Sequence, residues 1–279
     1  MLAPPISNTS KGPWSAAVSD LATGIAKWRF WMFLSWEDLR TTYHRSFFGM
    51  LWVTMAFGLF VGVKIFIFIP LIRGGGGGGE ISSTYYSLHL MLGFFAWTFV
   101  QNVFNSAPSV FRSNEAFIKN DPLPLSLFVY RLVMRSIINF LLIALVVAVV
   151  LFFLKPPLGW FSLLVIPAFV LFVLNAVWVT LLFGIICTRW RDIGHLIQTI
   201  MRLMLFLVPV IWIPSQMGEA WTYLQYNPFA HFVIIMRAPL MGPELHPVSW
   251  MVVGGVTILG WLVTLPVFAR FRRRVVFWF

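Results

Sequence analysis

The sequence predicts an all-α integral membrane protein with six transmembrane helices. It adds an amphipathic interface helix near the N-terminus and a re-entrant helical pair before the last span. Three observations carry that fold class. First, 59% hydrophobic and 10% charged residues, with a mean hydropathy of +0.86, exclude an ordinary soluble domain. Second, six apolar stretches lie near 47–69, 84–110, 133–154, 160–186, 193–213 and 248–269, where crossing ~30 Å of hydrocarbon takes about 20 residues. Third, when those spans alternate, fifteen of the twenty Lys and Arg residues fall on one side.

The cations on that side are Lys11, Lys27, Arg29, Arg40 and Arg45, then Arg112, Lys119, Arg131 and Arg135, then Arg189 and Arg191, then Arg270, Arg272, Arg273 and Arg274. The opposite side holds Arg73, Lys155 and Arg237, and Lys64 and Arg202 lie within spans. By the positive-inside rule both termini are expected in the cytoplasm of an inner (cytoplasmic) membrane. The first forty residues have no uninterrupted apolar run of signal-peptide type, so insertion is expected from the first span.

A pI near 10.5 invites a nucleic-acid partner. The cations sit at helix ends, where they meet anionic head groups, and not on one groove-shaped face, so no nucleic acid is expected. Fourteen Trp and twenty-nine Phe suit aromatic belts and lipid-facing surface. Cys187 is the one cysteine, which excludes an intramolecular disulfide.

In chain order, residues 1–18 carry Pro, Ser and Gly and are expected to be disordered. From 19 to 43, Leu21, Ile25, Trp28, Met32 and Leu39 recur at helical spacing among Lys27, Arg29, Glu37, Asp38 and Arg40. That pattern predicts an amphipathic helix, either in the interface with Trp28, Trp31 and Trp36 at head-group level or packed on the protein's own cytoplasmic side. Residues 44–279 are expected to form one transmembrane domain. Lys64 approaches the far head groups and is expected to snorkel. The outer loop holds six glycines, Gly74 to Gly79, followed by Glu80 and Ile81 where a phosphate loop needs Lys and Ser or Thr, so it is expected to be a linker.

After span two comes Arg112-Ser113-Asn114-Glu115-Ala116-Phe117-Ile118-Lys119-Asn120-Asp121-Pro122. Ser113 or Asn114 can cap a short helix that Pro122 stops. A charged helix hung between two spans is a docking element or a plain connection. Lys155-Pro156-Pro157-Leu158-Gly159 predicts a tight outer turn. Asp192 is expected to cap span five and to share charge with Arg189 and Arg191. Arg202 lies mid-span, where a cation costs at least ~2.5–3.5 kcal/mol unless paired or hydrated, so it is expected to face water or a partner subunit.

Pro209 and Pro214 break the end of span five. Trp221 to Phe229 and Ala230 to Met236, divided by Asn227-Pro228, make two pieces too short to cross, which suits a re-entrant pair at the outer mouth of a pathway. The terminal Arg270–Arg274 cluster suits anionic lipid or a phosphorylated lipid carrier, or serves as a stop-transfer anchor.

At these residues the chain resembles the six-span permeases of ABC-2-type polysaccharide exporters, above all those for O-antigen. The resemblance runs from about Trp36 to the C-terminus. It rests on Arg45-Ser46 with Gly49 and Trp52, on Leu123-Pro124-Leu125-Ser126-Leu127 with Tyr130-Arg131, and on Arg189-Trp190-Arg191-Asp192-Ile193. Pro209 near Trp212 and Pro214, Asn227-Pro228-Phe229 with His231, Arg237-Ala238-Pro239-Leu240 and Phe268-Ala269-Arg270-Phe271-Arg272-Arg273-Arg274 complete it. His44, where such proteins often carry a cation, and the glycine run depart from the pattern.

The resemblance implies a homodimeric channel, with two copies of a separate cytoplasmic ABC ATPase subunit that bind the ATP and Mg; no cofactor is expected in this chain. It implies that the segment around 112–122 couples to the ATPase through Asn114, Glu115, Phe117, Lys119 and Asp121. The substrate it implies is a long glycan on an isoprenoid diphosphate lipid, or one with another lipid terminus. Arg40, Arg45, Arg189 and Arg191 would attract the diphosphate at the cytoplasmic rim. Phe94, Phe95, Trp97, Trp212, Tyr223 and Tyr226 are the candidates to line the path, because aromatic rings stack on the apolar faces of sugars; Arg202 joins them on the mid-span burial argument alone.

Capsule and teichoic-acid exporters are close relatives and remain alternatives; drug-type ABC-2 permeases share only the general layout. A membrane-embedded transferase would want a carboxylate or a His–Asp pair placed as general base. Asp192 and His195 form a single i,i+3 pair at the mouth of a span, better read as helix-surface neighbours. A secondary transporter would want an internal repeat and a mid-span carboxylate, and the sequence has neither.

Overall fold

The computed structural model describes residues 12–44, 46–74, 82–121 and 123–279. Outside them lie the chain start up to Lys11, Arg45, most of the six-glycine run with Glu80 and Ile81, and Pro122, so what the sequence predicts there has no counterpart below. Among the described residues all regular structure is helical. The helices are α1 (Pro13–Ala26), α2 (Trp28–Thr42), α3 (Leu51–Gly74), α4 (Ser83–Ser106), α5 (Glu115–Asn120), α6 (Leu125–Leu154), α7 (Val165–Arg189), α8 (Arg191–Leu207), α9 (Glu219–Leu224), α10 (Pro228–Met241) and α11 (Pro247–Phe271).

Four helical segments among the described residues are long and apolar enough to cross a membrane: Ser83–Ser109, Leu125–Leu154, Trp160–Arg189 and Pro247–Phe271. The expected first span survives as α3, with a shorter apolar stretch over Leu51–Ile67. The expected fifth span is the 17-residue α8 followed by non-helical chain.

Hydropathy and position run opposite to those of a water-soluble core. The segment containing α4 is the least apolar of the four and 72% buried; α6 is the most apolar and 17% buried. Lipid rewards an apolar outer surface, while helix–helix contacts tolerate hydroxyls, amides and small residues. So α6 turns Leu141, Leu145, Val149 and Phe152 outward, and α4 buries Tyr86, His89, Trp97 and Phe99 at the centre. Packing between α7 and α11 rests on Gly260, where an added Cβ would fall 2.2 Å from the Trp178 ring. Asn175 joins the same two helices, donating to Thr257 Oγ1 at 2.7 Å while its Oδ1 accepts from Trp178 Nε1 at 2.8 Å.

The N-terminal region differs from expectation. Residues 13–18 are helical, because Pro13 at the first helical position opens α1. The predicted helix over 19–43 is two helices that meet at Lys27. Both pack against the protein's own helices: Ala17, Asp20, Ser35 and Leu39 are buried, and Phe33 and Trp36 stay exposed on the other face. Asp20 explains why α6 begins at Leu125 and not near residue 133. Its carboxylate accepts from the Ser126 N–H at 3.0 Å and the Leu125 N–H at 3.3 Å, capping a helix N-terminus from elsewhere in the chain. Arg272 meets the same carboxylate at 3.2 Å and also donates to the Ala16 carbonyl, so the chain's two ends close on one group. At the other end of α6, Lys155 takes a left-handed conformation (φ 44°) that stops the helix before Pro156.

Candidate translocation surface and coupling face

At ~1.5 Å per residue, α8 is about 25 Å long, short of the ~30 Å hydrocarbon core. Its sequence divides it into three faces. Gly194, Ile197 and Met201 are buried against the protein; Gly194 lies where a Cβ would come 3.2 Å from Pro108. Leu196, Ile200, Leu203 and Leu207 form an exposed apolar face. Asp192, His195, Gln198, Thr199 and Arg202 form an exposed polar face. Arg202 folds back on its own helix, donating to the Gln198 carbonyl at 3.3 Å and Thr199 Oγ1 at 3.5 Å, and among the described residues it has no carboxylate partner. A polar stripe beside an apolar one suits a surface that meets water on one side and apolar neighbours on the other.

Beyond α8 the chain runs non-helically from Val208 to Ile213, and Val208, Val210 and Ile213 are buried. Buried non-helical backbone needs hydrogen-bond partners from elsewhere in the protein. Tyr86 Oη donates to the Ile211 carbonyl at 2.8 Å, and the buried Arg237 donates to the Pro209 carbonyl at 2.5 Å. Arg237 also lies 3.0 Å from His89 Nε2, with the Trp212 carbonyl 3.1 Å from that nitrogen. A guanidinium only donates and a carbonyl only accepts, so the tautomer of His89 decides which of the two its Nε2 engages. Gly93 lets the break lie close: its Cβ would come 3.2 Å from Val210 Cα. The sequence assigns Arg237 to the outer side and gives His89 and Tyr86 no role; the structure makes all three the supports of this break. An arginine isolated from any carboxylate beside two prolines is the signal that could have found them.

Asn227 starts α10 by accepting from the Phe229 N–H at 3.0 Å, as the Asn-Pro pair predicts. His231 holds α9 and α10 to α11, with Nε2 donating to the Gln225 carbonyl at 2.8 Å and Nδ1 accepting from Ser249 at 3.0 Å. α10 has 14 residues, and its run from Ala230 to Arg237 is buried throughout.

At the opposite end, Arg131 of α6 gathers three elements. Its Nε donates to Asp38 Oδ2 of α2 at 2.8 Å and Nη2 to Asp38 Oδ1, a bidentate pair, while Nη1 donates to Asn114 Oδ1 at 2.9 Å. Asn114 precedes α5 but does not cap it with its side chain, because its amide is engaged by Arg131 and the Val110 carbonyl. Arg112 donates to the Cys187 carbonyl at 3.0 Å, fixing the same segment to the end of α7. On α5 itself, Glu115 and Lys119 pair at 2.6 Å, and the Lys119 ammonium lies 5.6 Å from the Phe279 ring, so the C-terminus packs beside the short helix. Phe117 is exposed.

The remaining candidates fall into distinct places. Arg40, Arg189 and Arg191 are exposed and make no ion pair among the described residues; Arg45 lies outside those residues. Asp192 is in the first turn of α8 but makes no capping bond and no ion pair, so its contribution is the favourable end of the helix dipole. Phe94, Phe95 and Trp97 are 1–4% exposed: Phe95 stacks on Phe140 at 4.1 Å, and Phe94 meets Phe60 edge-on at 5.0 Å. Lys64, expected to snorkel, rests its ammonium 4.7 Å from the Phe60 ring and 5.4 Å from the Phe94 ring. Trp212 is half-buried, donating to the Phe206 carbonyl at 2.9 Å, and Tyr223 and Tyr226 are each 79% exposed.

The bundle of apolar helices, its polar-faced short helix and the knot of polar contacts around Arg131 define a membrane-embedded transport permease. The chain belongs to the ABC-2 type transporter family, whose membrane-domain model matches residues 28–241. It is also similar to the O-antigen export system permease protein RfbA of Klebsiella pneumoniae, at 24% identity over 242 residues that cover 85% of this chain and 88% of that protein. ABC-2 membrane proteins work with an ABC ATPase partner.

Proposed function

We propose that this chain is the permease subunit of an exporter that moves a lipid-linked polysaccharide of O-antigen type across the bacterial inner membrane. The observation that carries the proposal is the near end-to-end similarity to an O-antigen export permease. In this proposal the chain crosses six times, with α8 and its non-helical extension as the fifth crossing and α9–α10 as the re-entrant pair, and both termini are cytoplasmic. The buried, side-chain-satisfied break at Val208–Ile213 and the shortness of α10 support that topology.

The channel forms between two copies of the chain, and two copies of a cytoplasmic ATPase supply the energy, binding ATP and Mg themselves. The free polar and apolar faces of α8 suit the path and the second copy respectively. Asn114, Glu115, Phe117, Lys119 and Asp121 dock the ATPase: α5 is short and charged, and it is tied through Asn114 to Arg131 and α2. A push on α5 would therefore be carried into α6. Arg40, Arg45, Arg189 and Arg191 draw the isoprenoid diphosphate to the rim, each cation contributing roughly 1 kcal/mol near the surface. The exposed Tyr223, Tyr226 and half-buried Trp212 offer rings to the glycan, with Arg202 on the path. Phe94, Phe95 and Trp97 support that path from the core behind it.

Deleting the gene in its host and fractionating lipid-linked polysaccharide by compartment tests the proposal. Polymer held at the cytoplasmic side with a bare surface is the expected result. Normal surface glycan would overturn it, and a lost capsule or teichoic-acid polymer would reassign the cargo.

A further inference from the structure

A second cationic site lies between the helices on the coupling face, away from the rim arginines. α2, α4, the segment leading to α5 and the first turns of α6 line an open cavity of about 310 Å³. Its walls are polar: Asn102 and Ser106 from α4, Ser109 from the turn that follows, and Arg131, Arg135 and Ser136 from α6. The volume is many times the roughly 30 Å³ that one water occupies.

The lining groups differ in how fully they are engaged. Arg131 is held by Asp38 and Asn114. Ser136 is 97% buried; its hydroxyl donates to the Leu132 carbonyl and accepts from Asn102 Nδ2 at 3.3 Å. Ser109 donates to the Ser106 carbonyl at 3.0 Å, leaving its oxygen as an acceptor toward the space. Arg135 is exposed at the rim of the cavity and has no hydrogen-bond or ion-pair partner among the described residues, although it sits one turn beyond Arg131. Two guanidiniums against one carboxylate, Asp38, leave the cavity a net positive site whose walls also offer hydroxyl and amide groups. That combination matches a phosphate ester bearing hydroxyls: the guanidinium takes the phosphoryl oxygens in fork geometry, and the serine oxygens accept from hydroxyls.

We propose that the cavity binds the phosphate-ester head group of an anionic glycerophospholipid through Arg135, next to the Asp38–Arg131–Asn114 link. The site depends on the topology proposed above, which puts this end of α4 and α6 at the cytoplasmic head-group level. A bound head group bridges α4 and α6 beside the segment leading to α5, so the lipid becomes part of the connection between the coupling helix and the bundle.

The test uses the purified full-length permease in detergent, titrated separately with phosphatidylglycerol, inorganic phosphate and farnesyl diphosphate, with binding read by native mass spectrometry. Three variants accompany the wild type: Arg135→Gln, Arg135→Lys, and Arg29→Gln as an exposed cation elsewhere. The expected result is phosphatidylglycerol retained at one per protomer, weakened at least fivefold by Arg135→Gln, less by Arg135→Lys and not by Arg29→Gln. The same Arg135 dependence with inorganic phosphate or farnesyl diphosphate, but not with phosphatidylglycerol, would overturn the lipid assignment in favour of a free anion or the cargo's own diphosphate. Equal binding by wild type and Arg135→Gln, or equal weakening by Arg29→Gln, would overturn the site itself. Neither ATPase nor glycan enters the measurement, so its failure leaves the export proposal standing, and normal surface glycan in the deletion strain would leave the lipid site standing.

Discussion

Arg237 and His89 stand 3.0 Å apart in the centre of the protein, 148 residues apart in the chain, and together they hold the end of α8 open. Arg237 donates to the Pro209 carbonyl, and the His89 ring stands beside the guanidinium and the Trp212 carbonyl. Replacing Arg237 by Ala would leave that buried carbonyl unpaired, at a cost of about 1–3 kcal/mol before lost packing is counted. The expected outcome is a lower unfolding temperature in detergent and faster proteolysis between residues 208 and 227, with Arg237→Lys intermediate. An unchanged melting temperature for Arg237→Ala would contradict this role.

The Asp38–Arg131 pair is expected to act in coupling more than in stability, because both side chains retain partial exposure. Asp38→Ala or Arg131→Ala should lower export while ATP hydrolysis by the assembled complex persists. The exchange Asp38→Arg with Arg131→Asp should recover part of the export. A double-mutant cycle on export rate checks it, and strictly additive single effects would deny the coupling.

Asp20 does three things at once: it caps α6, meets Arg272 and fixes α1. Asp20→Ala removes both the cap and the ion-pair partner. The cap alone costs about 0.5–2 kcal/mol. Asp20→Asn keeps an acceptor for one N–H and should fall between wild type and Ala. Thermal unfolding of the three proteins measures the order, and Arg272→Gln should reproduce only the smaller part of the loss.

Arg202 is exposed and bonded only to its own helix, so Arg202→Gln should leave stability within about 0.5 kcal/mol, as for surface substitutions generally. If α8 borders the path, polysaccharide export should fall severalfold with normal protein abundance. Pulse-labelled polymer reaching the cell surface, normalised to permease level, is the measurement. Undiminished export with Arg202→Gln would remove Arg202 from the path.

Gly260 offers a packing test independent of transport. With Trp178 2.2 Å from where its Cβ would sit, Gly260→Ala forces α7 and α11 apart and should lower the melting temperature. Pairing it with Trp178→Phe should restore part of the loss; a neutral Gly260→Ala would mean the two helices adjust freely.

Sequence alone determined that the chain is helical and membrane-embedded, because apolar length and cation asymmetry are one-dimensional properties that the bilayer reads directly. It also marked α5, by its charged segment between two apolar stretches, and the Asn227-Pro228 break, by local capping and proline chemistry. Tertiary structure decided what depends on partners far along the chain. Asp20 extends α6 to Leu125 from 105 residues away, Arg131 finds Asp38 across 93, and Arg237 reaches Pro209 across 28. It also separated aromatic rings that look alike in sequence: Trp97 is buried in the core, while Tyr223 stands in the open. Hydropathy cannot draw that distinction, because lipid and protein interior are both apolar; only the positions of the neighbouring helices decide which rings are free to meet a substrate.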